Sequence, residues 1–383
     1  MTMAHIYRMY VSYLSGIFDF TGMQMVLTMK LTSFAYNYFD GTYDKKRVFR
    51  EHSDPKVAKT YADRRRFAIT SLPNPLEFYG YVYCFTCLLA GPAFEYTDYV
   101  RAVDQSTTSP PSVTRSYPVS TLPIAFRKFI IGLLCLALHL VVSKQFKMST
   151  LYTDNFMKFS SIPYRLSYAY LAIFAQRCRF YFAWKIAEAS CIMGEFGVSV
   201  SDRQYFWEGV EIVDIIQVET AVSLQSLTRH WNKRTQQWLE RYVYRRTNNS
   251  LIAAYFISAI WHGPYPGFMM FFLTIPLITI VERQVRCKLN PIFIGDIKVN
   301  SLSCIPRRNA SMVRAIILSS YWLTCWLCLT AEMVYLAHLF IKLSALECLT
   351  VISSYYYLGH VIPIILYGFL RYSPIRKLKI KAI

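Results

Sequence analysis

LIAAYFISAIWHGPYPGFMMFFLTIPLITIV, residues 251–281, decides the fold class. Its 31 residues contain no Lys, Arg, Asp or Glu, yet His262 sits inside the run. Apolar runs of this length are the mark of bilayer-spanning helices. Two prolines and two glycines within Gly263-Pro264-Tyr265-Pro266-Gly267 must stop a helix at that histidine. A backbone break at membrane depth is tolerated only where protein or a cavity surrounds it. His262 is therefore expected to end one half-helix and to look into a cavity. The plainer alternative is a structural histidine that caps backbone carbonyls, but an ionisable group at membrane depth is by default a functional candidate.

Immediately upstream lies LTRHWNKRTQQWLERYVYRR, residues 227–246. Trp231 and Trp238 are seven residues apart, two helical turns, and Tyr242 follows four later, so the spacing predicts that the three rings share a face. Lys233, Arg234, Glu240 and Arg241 fill much of the rest, which makes an amphipathic helix suited to a membrane surface. An aromatic belt accounts for the tryptophans and arginines. It does not account for Asn232, which lies 30 positions before His262 (262 − 232). Imidazole is the usual general base near neutral pH. A carboxamide donates well to a developing oxyanion. The chain has no GxSxG, no Gly-rich phosphate loop and no metal-ligand cluster, so the chemistry suggested is direct transfer without a covalent enzyme intermediate, and no cofactor is expected.

The bulk numbers agree with a membrane protein. Of 383 residues, 54% are hydrophobic, 16% aromatic and only 17% charged, and the mean hydropathy is positive. A soluble chain of this length would carry more charge, spread over two or three domains. The net charge of +19 belongs in loops on the cytoplasmic side and suits anionic head groups or a polyphosphate ligand; with apolar runs this long, nucleic acid is not the expected partner. Cys84/Cys87 and Cys325/Cys328 have CxxC spacing but lie in apolar stretches, where packing is the expected role. No cleavable signal peptide is visible at the start.

Along the chain, residues 6–39 read as two membrane-associated helical pieces hinged between Gly16 and Gly22, followed by a polar loop over 44–66 in which Arg64-Arg65-Arg66 is a solvated charge run. The 17 charge-free residues 78–94 are short for a span and are expected to form a tilted or partly buried helix. Residues 104–123, rich in Ser, Thr and Pro, must be an exposed loop. Residues 129–143 form the core of a span, and 166–193 a helix that faces protein or a hydrated cavity because it carries Arg177, Arg179, Lys185 and Glu188. Residues 194–212 read as a loop, 315–331 as a span and 348–370, with 23 charge-free residues, as another. The final five residues, Lys379-Ile380-Lys381-Ala382-Ile383, resemble a di-lysine retrieval signal or a basic membrane anchor. The whole is expected to be one domain over 1–383, an all-α bundle of eight or nine helices, several broken, with residues 228–281 as its catalytic core segment.

Several of these blocks resemble the membrane-bound O-acyltransferases, and within them the lysophospholipid acyltransferases. WNKRTQQWLERYVYRR (231–246) resembles the family's Trp-Asn-x-x-Thr-x-x-Trp-Leu block, and SAIWHGPYPGF (258–268) its Trp-His-Gly block. DFTGMQMVLTMKLTSFAYNYFDG (19–41), LPNPLEFYGYVYCFTCLLAGPAFEYTDY (72–99) and VETAVSLQSLTRHWN (218–232) are similar to stretches of the lysophospholipid branch. The resemblance implies helices arranged around a central reaction chamber, with His262 as base on the free hydroxyl of a lysophospholipid and Asn232 as its active-site partner. Trp231, Thr235, Trp238, Trp261 and Gly263 would contact substrate. The acyl donor would be a long-chain acyl-CoA entering from the cytosol, its acyl chain in the bilayer, and the home would be the endoplasmic reticulum membrane. The family carries one or two further spans before the block that begins at Asp19, so the chain is expected to be short at its amino end. A protein or sterol acceptor remains an alternative, against which the block at 19–41 speaks. So does a transporter or channel with His262 lining the path, although paired broken helices in two related halves are missing.

Overall fold

A computed structural model of the chain describes residues 1–13, 20–51, 53–103, 121–197, 199–201, 204–293 and 312–372. The hinge residues 14–19, including Asp19, most of the loop at 104–123 and the lysines of the tail lie outside the described residues. Among the described residues the fold is all-α apart from one antiparallel strand pair, Ser199–Ser201 with Gln204–Phe206, inside the stretch expected to be a loop. Among the described residues there are 17 α-helices rather than eight or nine, because several expected segments break into shorter pieces. Two compact units divide the chain, one made of Met1–Leu136, Arg179–Val213 and Asn232–Ala254, the other of Ala137–Cys178, Asp214–Trp231 and Tyr255–Ile383.

The first unit is built around the Thr21–Gly41 helix. Lys30, Ser33, Asn37 and Asp40 recur on one of its faces, and all four are buried. Lys30 donates to the carbonyl of Tyr81 at 2.6 Å. Tyr81, itself fully buried, centres an apolar core with Phe34, Phe94, Cys84, Cys87 and Cys191. Where a single helix was expected over 78–94, only the Pro75–Val82 helix forms. Asn74 caps it by accepting from the N–H of Glu77 at 2.9 Å, and Pro75 occupies the first helical position, where no donor is needed. The expected polar loop over 44–66 contains two helices, Lys45–Val48 and Pro55–Phe67. Arg64 is not a solvated charge there: its guanidinium grips Asp40 at 2.5 and 3.1 Å and Asp44 at 2.6 Å. Gly41 lets the backbone at Ile69 pass close by, since a Cβ on it would collide with the carbonyl of Ile69.

Among the described residues, three helices are long and apolar enough to cross a membrane: Thr121–Gln145, Pro266–Asn290 and Ile316–Lys342. The first carries the exposed side chains of Phe126, Phe129, Leu133, Leu134 and Val141, a surface that only lipid tails would cover at no cost. In the second unit the core gathers Leu224, Ile275, Ile278, Leu336, Leu339 and Ile352. The helix expected at 166–193 runs over Ile162–Met193; Arg177, Lys185 and Glu188 face protein as expected, whereas Arg179 is exposed. Arg177 makes a two-pronged ion pair with Glu219 at 2.7 and 2.8 Å. The span expected at 348–370 is instead two helices, Ala345–Ser354 and Leu358–Tyr372, bent by 71°. Tyr356 and Tyr357 take positive φ at the break. Arg165, buried, donates to the freed carbonyl of Ser354 at 2.8 Å, so the opened helix end does not face the apolar core unsatisfied.

Candidate active site

Asn232 belongs to the first unit. Its backbone is left-handed (φ 41°, ψ 58°), a conformation that asparagine tolerates better than other residues with a side chain. It caps the Lys233–Tyr242 helix: its side-chain oxygen accepts from the N–H of Thr235 at 3.4 Å, and its carbonyl from the N–H of Gln236 at 3.1 Å. The N–H of Lys233 donates to the carbonyl of Ile212 at 2.7 Å. Asn232 therefore stands at a helix start fixed by hydrogen bonds on both sides, with the donor end of its amide on the side chain's other branch.

That helix is tied to the Thr21–Gly41 helix by a ladder of polar contacts. The Thr235 hydroxyl reaches the Met29 sulfur at 3.5 Å, and the Trp238 indole N–H donates to Thr32 at 2.9 Å. The Tyr242 hydroxyl donates to Asn37 at 2.9 Å, and beyond the helix end Arg246 meets Asp40 at 2.5 Å. Each rung joins residues 205 or 206 apart in sequence, so the two segments run side by side in the same direction and in register. Glu95 braces the third rung, accepting from Tyr242 at 2.9 Å, from Asn37 at 2.9 Å and from Arg241 at 3.1 Å. Burial pushes the Glu95 carboxyl above its ordinary value, with Arg241 and the hydrogen bonds from Tyr242 and Asn37 pulling the other way. Two polar cavities flank the ladder. One of about 210 Å³ is lined by Ser33, Glu95, Arg234, Trp238 and Arg241. The other, of about 650 Å³, is lined by Asp40, Asp63, Arg64, Arg245 and Arg246 among others.

These contacts correct the expected shared face of Trp231 and Trp238. Trp231 lies before the helix and closes the preceding one, Leu224–His230, through its N–H on the carbonyl of Leu227 at 2.9 Å. Trp238 is buried, with its indole N–H bonded inside the protein, and so is not a membrane-surface anchor. Because Asn232 caps a helix that begins at Lys233, Trp231 lies outside it.

His262 belongs to the second unit and ends the Leu251–His262 helix as the sequence implies. Gly263 follows with φ 131°, a conformation side chains rarely adopt, and its N–H returns to the carbonyl of Ala259 at 3.0 Å. The chain then enters the Pro266–Phe293 helix. Gly267 sits against the chain at Leu343, its N–H donating to that carbonyl at 2.8 Å, where a Cβ would strike the carbonyl of Leu339. The imidazole is half-buried. Its recorded neighbours are rings: Trp261 at 4.8 Å edge-on, Phe272 at 5.0 Å stacked, Phe340 at 5.1 Å edge-on and Phe268 at 5.5 Å. Trp261 is itself buried. Four rings therefore pack against the histidine and fix the plane of the imidazole.

The structure thus brings Asn232, Thr235 and Trp238 together in the first unit, and Trp261, His262 and Gly263 together in the second. Sequence reasoning missed Asn37, Asp40 and Glu95. The visible signal was the recurrence of Lys30, Asn37 and Asp40 at helical spacing in an otherwise apolar stretch. Among the described residues no group of three or more His, Cys, Asp or Glu is arranged to hold a metal ion.

The model of the membrane-bound O-acyltransferase family (MBOAT) matches residues 6–319. The chain is 28% identical over 379 residues to membrane-bound glycerophospholipid O-acyltransferase 2 of Gallus gallus, covering 95% of this chain and 67% of that protein. It is 32% identical over 291 residues to a lysophospholipid acyltransferase of Schizosaccharomyces pombe, covering 72% of this chain and 54% of that protein. To lysophospholipid acyltransferase 1 of Arabidopsis thaliana it is 29% identical over 382 residues, covering 94% and 75%. The chain thus spans between about half and three quarters of the length of these relatives.

Proposed function

The chain belongs to the membrane-bound O-acyltransferase family and is a multi-pass membrane protein; from that premise we propose that it moves a long-chain acyl group from acyl-CoA to the free hydroxyl of a lysophospholipid, as a step of phospholipid remodelling in the endoplasmic reticulum membrane. The glycerophospholipid and lysophospholipid acceptors in the names of its relatives support this class of acceptor. The observation that carries the reading is the imidazole at the broken end of an apolar helix, held by four rings.

In this reading the lysolipid hydroxyl attacks the thioester carbonyl while His262 takes its proton. The carbonyl oxygen becomes an oxyanion, toward which the Asn232 amide N–H donates. Collapse of the tetrahedral intermediate breaks the carbon–sulfur bond, and the imidazolium returns its proton to the departing CoA sulfur. A new ester and free CoA result, with no acyl-enzyme. Trp231, Thr235, Trp238, Trp261 and Gly263 would contact substrate, and the arginines near the polar cavities of the first unit offer charge for the CoA phosphates.

The test is acyl transfer in microsomes from labelled oleoyl-CoA to a panel of lysolipids, sterols and peptides, with wild type beside His262→Ala. The wild type should acylate lysolipids, and the variant should lose about 10²–10⁴-fold in turnover while still accumulating in membranes. Turnover retained in His262→Ala would sink the mechanism; transfer to sterols or peptides alone would move the acceptor class.

A further inference from the structure

The Ile212-Val213 peptide is gripped at all four of its backbone polar groups. The Glu188 carboxylate, wholly buried, accepts from the N–H of Ile212 at 2.8 Å and of Val213 at 3.2 Å through one oxygen. Lys185, also buried, donates to the carbonyl of Val213 at 2.6 Å and to the second Glu188 oxygen at 2.7 Å. Lys128 reaches that same oxygen at 2.9 Å. The remaining group, the carbonyl of Ile212, accepts the N–H of Lys233. Lys233 is the residue that leaves the left-handed Asn232, and its ammonium is held by Glu211 at 2.5 Å. Arg234 adds a bond to the carbonyl of Glu211 at 3.2 Å. A buried carboxylate is thus separated from the Asn232 backbone by one short peptide segment, Ile212-Val213, whose own side chains are buried.

A buried ionised group is costly unless paired and hydrogen-bonded, and Glu188 is both, twice over. Simple packing would be served as well by an apolar side chain of the same size. An anion here does something an apolar side chain does not: it orients two successive N–H groups and so fixes where the Ile212 carbonyl points. That carbonyl sets the first N–H after Asn232, and with it the direction of the carboxamide. Displacing a catalytic donor by about 1 Å is worth about a hundredfold in rate. We propose that Glu188, with Lys185, is the positioning residue for the Asn232 amide, an inference that rests on the acyl-transfer reading. Glu188 acts through Asn232 and touches no reacting atom.

The experiment compares Glu188→Gln and Glu188→Asp with wild type, Asn232→Ala and His262→Ala in full-length protein, using oleoyl-CoA and the best lysolipid of the panel. Glu188→Gln keeps the shape but turns an amide N–H toward two lysines. It should lower kcat by about tenfold or more with KM for both substrates unchanged. Glu188→Asp restores the charge and should recover part of that loss. The thermal midpoint of detergent-solubilised Glu188→Gln should fall as well, because two lysines lose their counter-charge, so kcat is read well below that midpoint. An unchanged kcat, a rise in KM that matches the loss, or activity that falls only as the thermal midpoint falls would each overturn the proposal. If Asn232→Ala and His262→Ala are inactive while the Glu188 variants are fully active, only this inference fails. If those two also remain active, it is the acyl-transfer reading that fails.

Discussion

Asn232 and His262 are held by opposite means. Around Asn232 the contacts are directional: a cap, a four-rung polar ladder and a buried set of ion pairs. Around His262 they are faces and edges of rings, with a glycine break in the backbone beneath. Hydrogen bonds specify angles, and a donor aimed at a developing charge needs its angle set. Ring packing instead fixes a plane. The two groups therefore differ in what should disturb them: charge and acidity on one side, ring shape on the other.

The largest effect expected from that difference is Asp40→Ala. Asp40 is fully buried between Arg64 and Arg246, and removing it takes the carboxylate from Arg246 and leaves Arg64 with Asp44 alone. A loss of about 3 kcal/mol in stability should follow, read as a lowered thermal midpoint in detergent. On the ring side, Phe272→Leu keeps an apolar side chain but abolishes the stacked face at 5.0 Å. About 1 kcal/mol should be lost, with turnover falling more than stability because the imidazole plane is freed. If Phe272→Leu proves the more damaging to stability, the contrast between the two regions is wrong.

The smallest effect is the pH response of the polar side. Burial would raise the Glu211 carboxyl, but Lys233 and Lys128 more than offset it and hold it below its ordinary value of 4.5. A carboxyl lowered on folding contributes stability above 4.5 that is lost as the pH falls through its folded value. The thermal midpoint of wild type should thus drop more steeply below pH 4.5 than that of Glu211→Gln. Coincident profiles would show that Glu211 is not coupled to its lysines.

Much of this could be read from the sequence because the signals were local. Asn232 between aromatic and basic residues, and His262 before Gly-Pro-Tyr-Pro-Gly in a charge-free run, announce a helix start and a helix end within a few positions. The spans at 121–145 and 316–342 announce themselves by length. What stayed hidden depends on partners far along the chain. The bend after Ser354 lies among apolar and aromatic residues that read as continuous helix, and the group that steadies it is Arg165, 189 residues away. Arg64 looked solvated because Asp40 lies in a separate helix. Glu188 looked like one more charge on a long helix, since nothing near it in sequence shows two backbone N–H groups arriving from 24 and 25 residues later.

The constant offset of 205 or 206 residues between the ladder's partners has a consequence for how this protein can change over time. Each side chain of the ladder can be exchanged alone at modest cost, but the two segments are phased like the teeth of a rack and pinion. One extra residue inserted between Met29 and Asp40 would rotate everything beyond it by roughly 100° and disengage every later tooth together. Here drift in composition should be tolerated and drift in length should not.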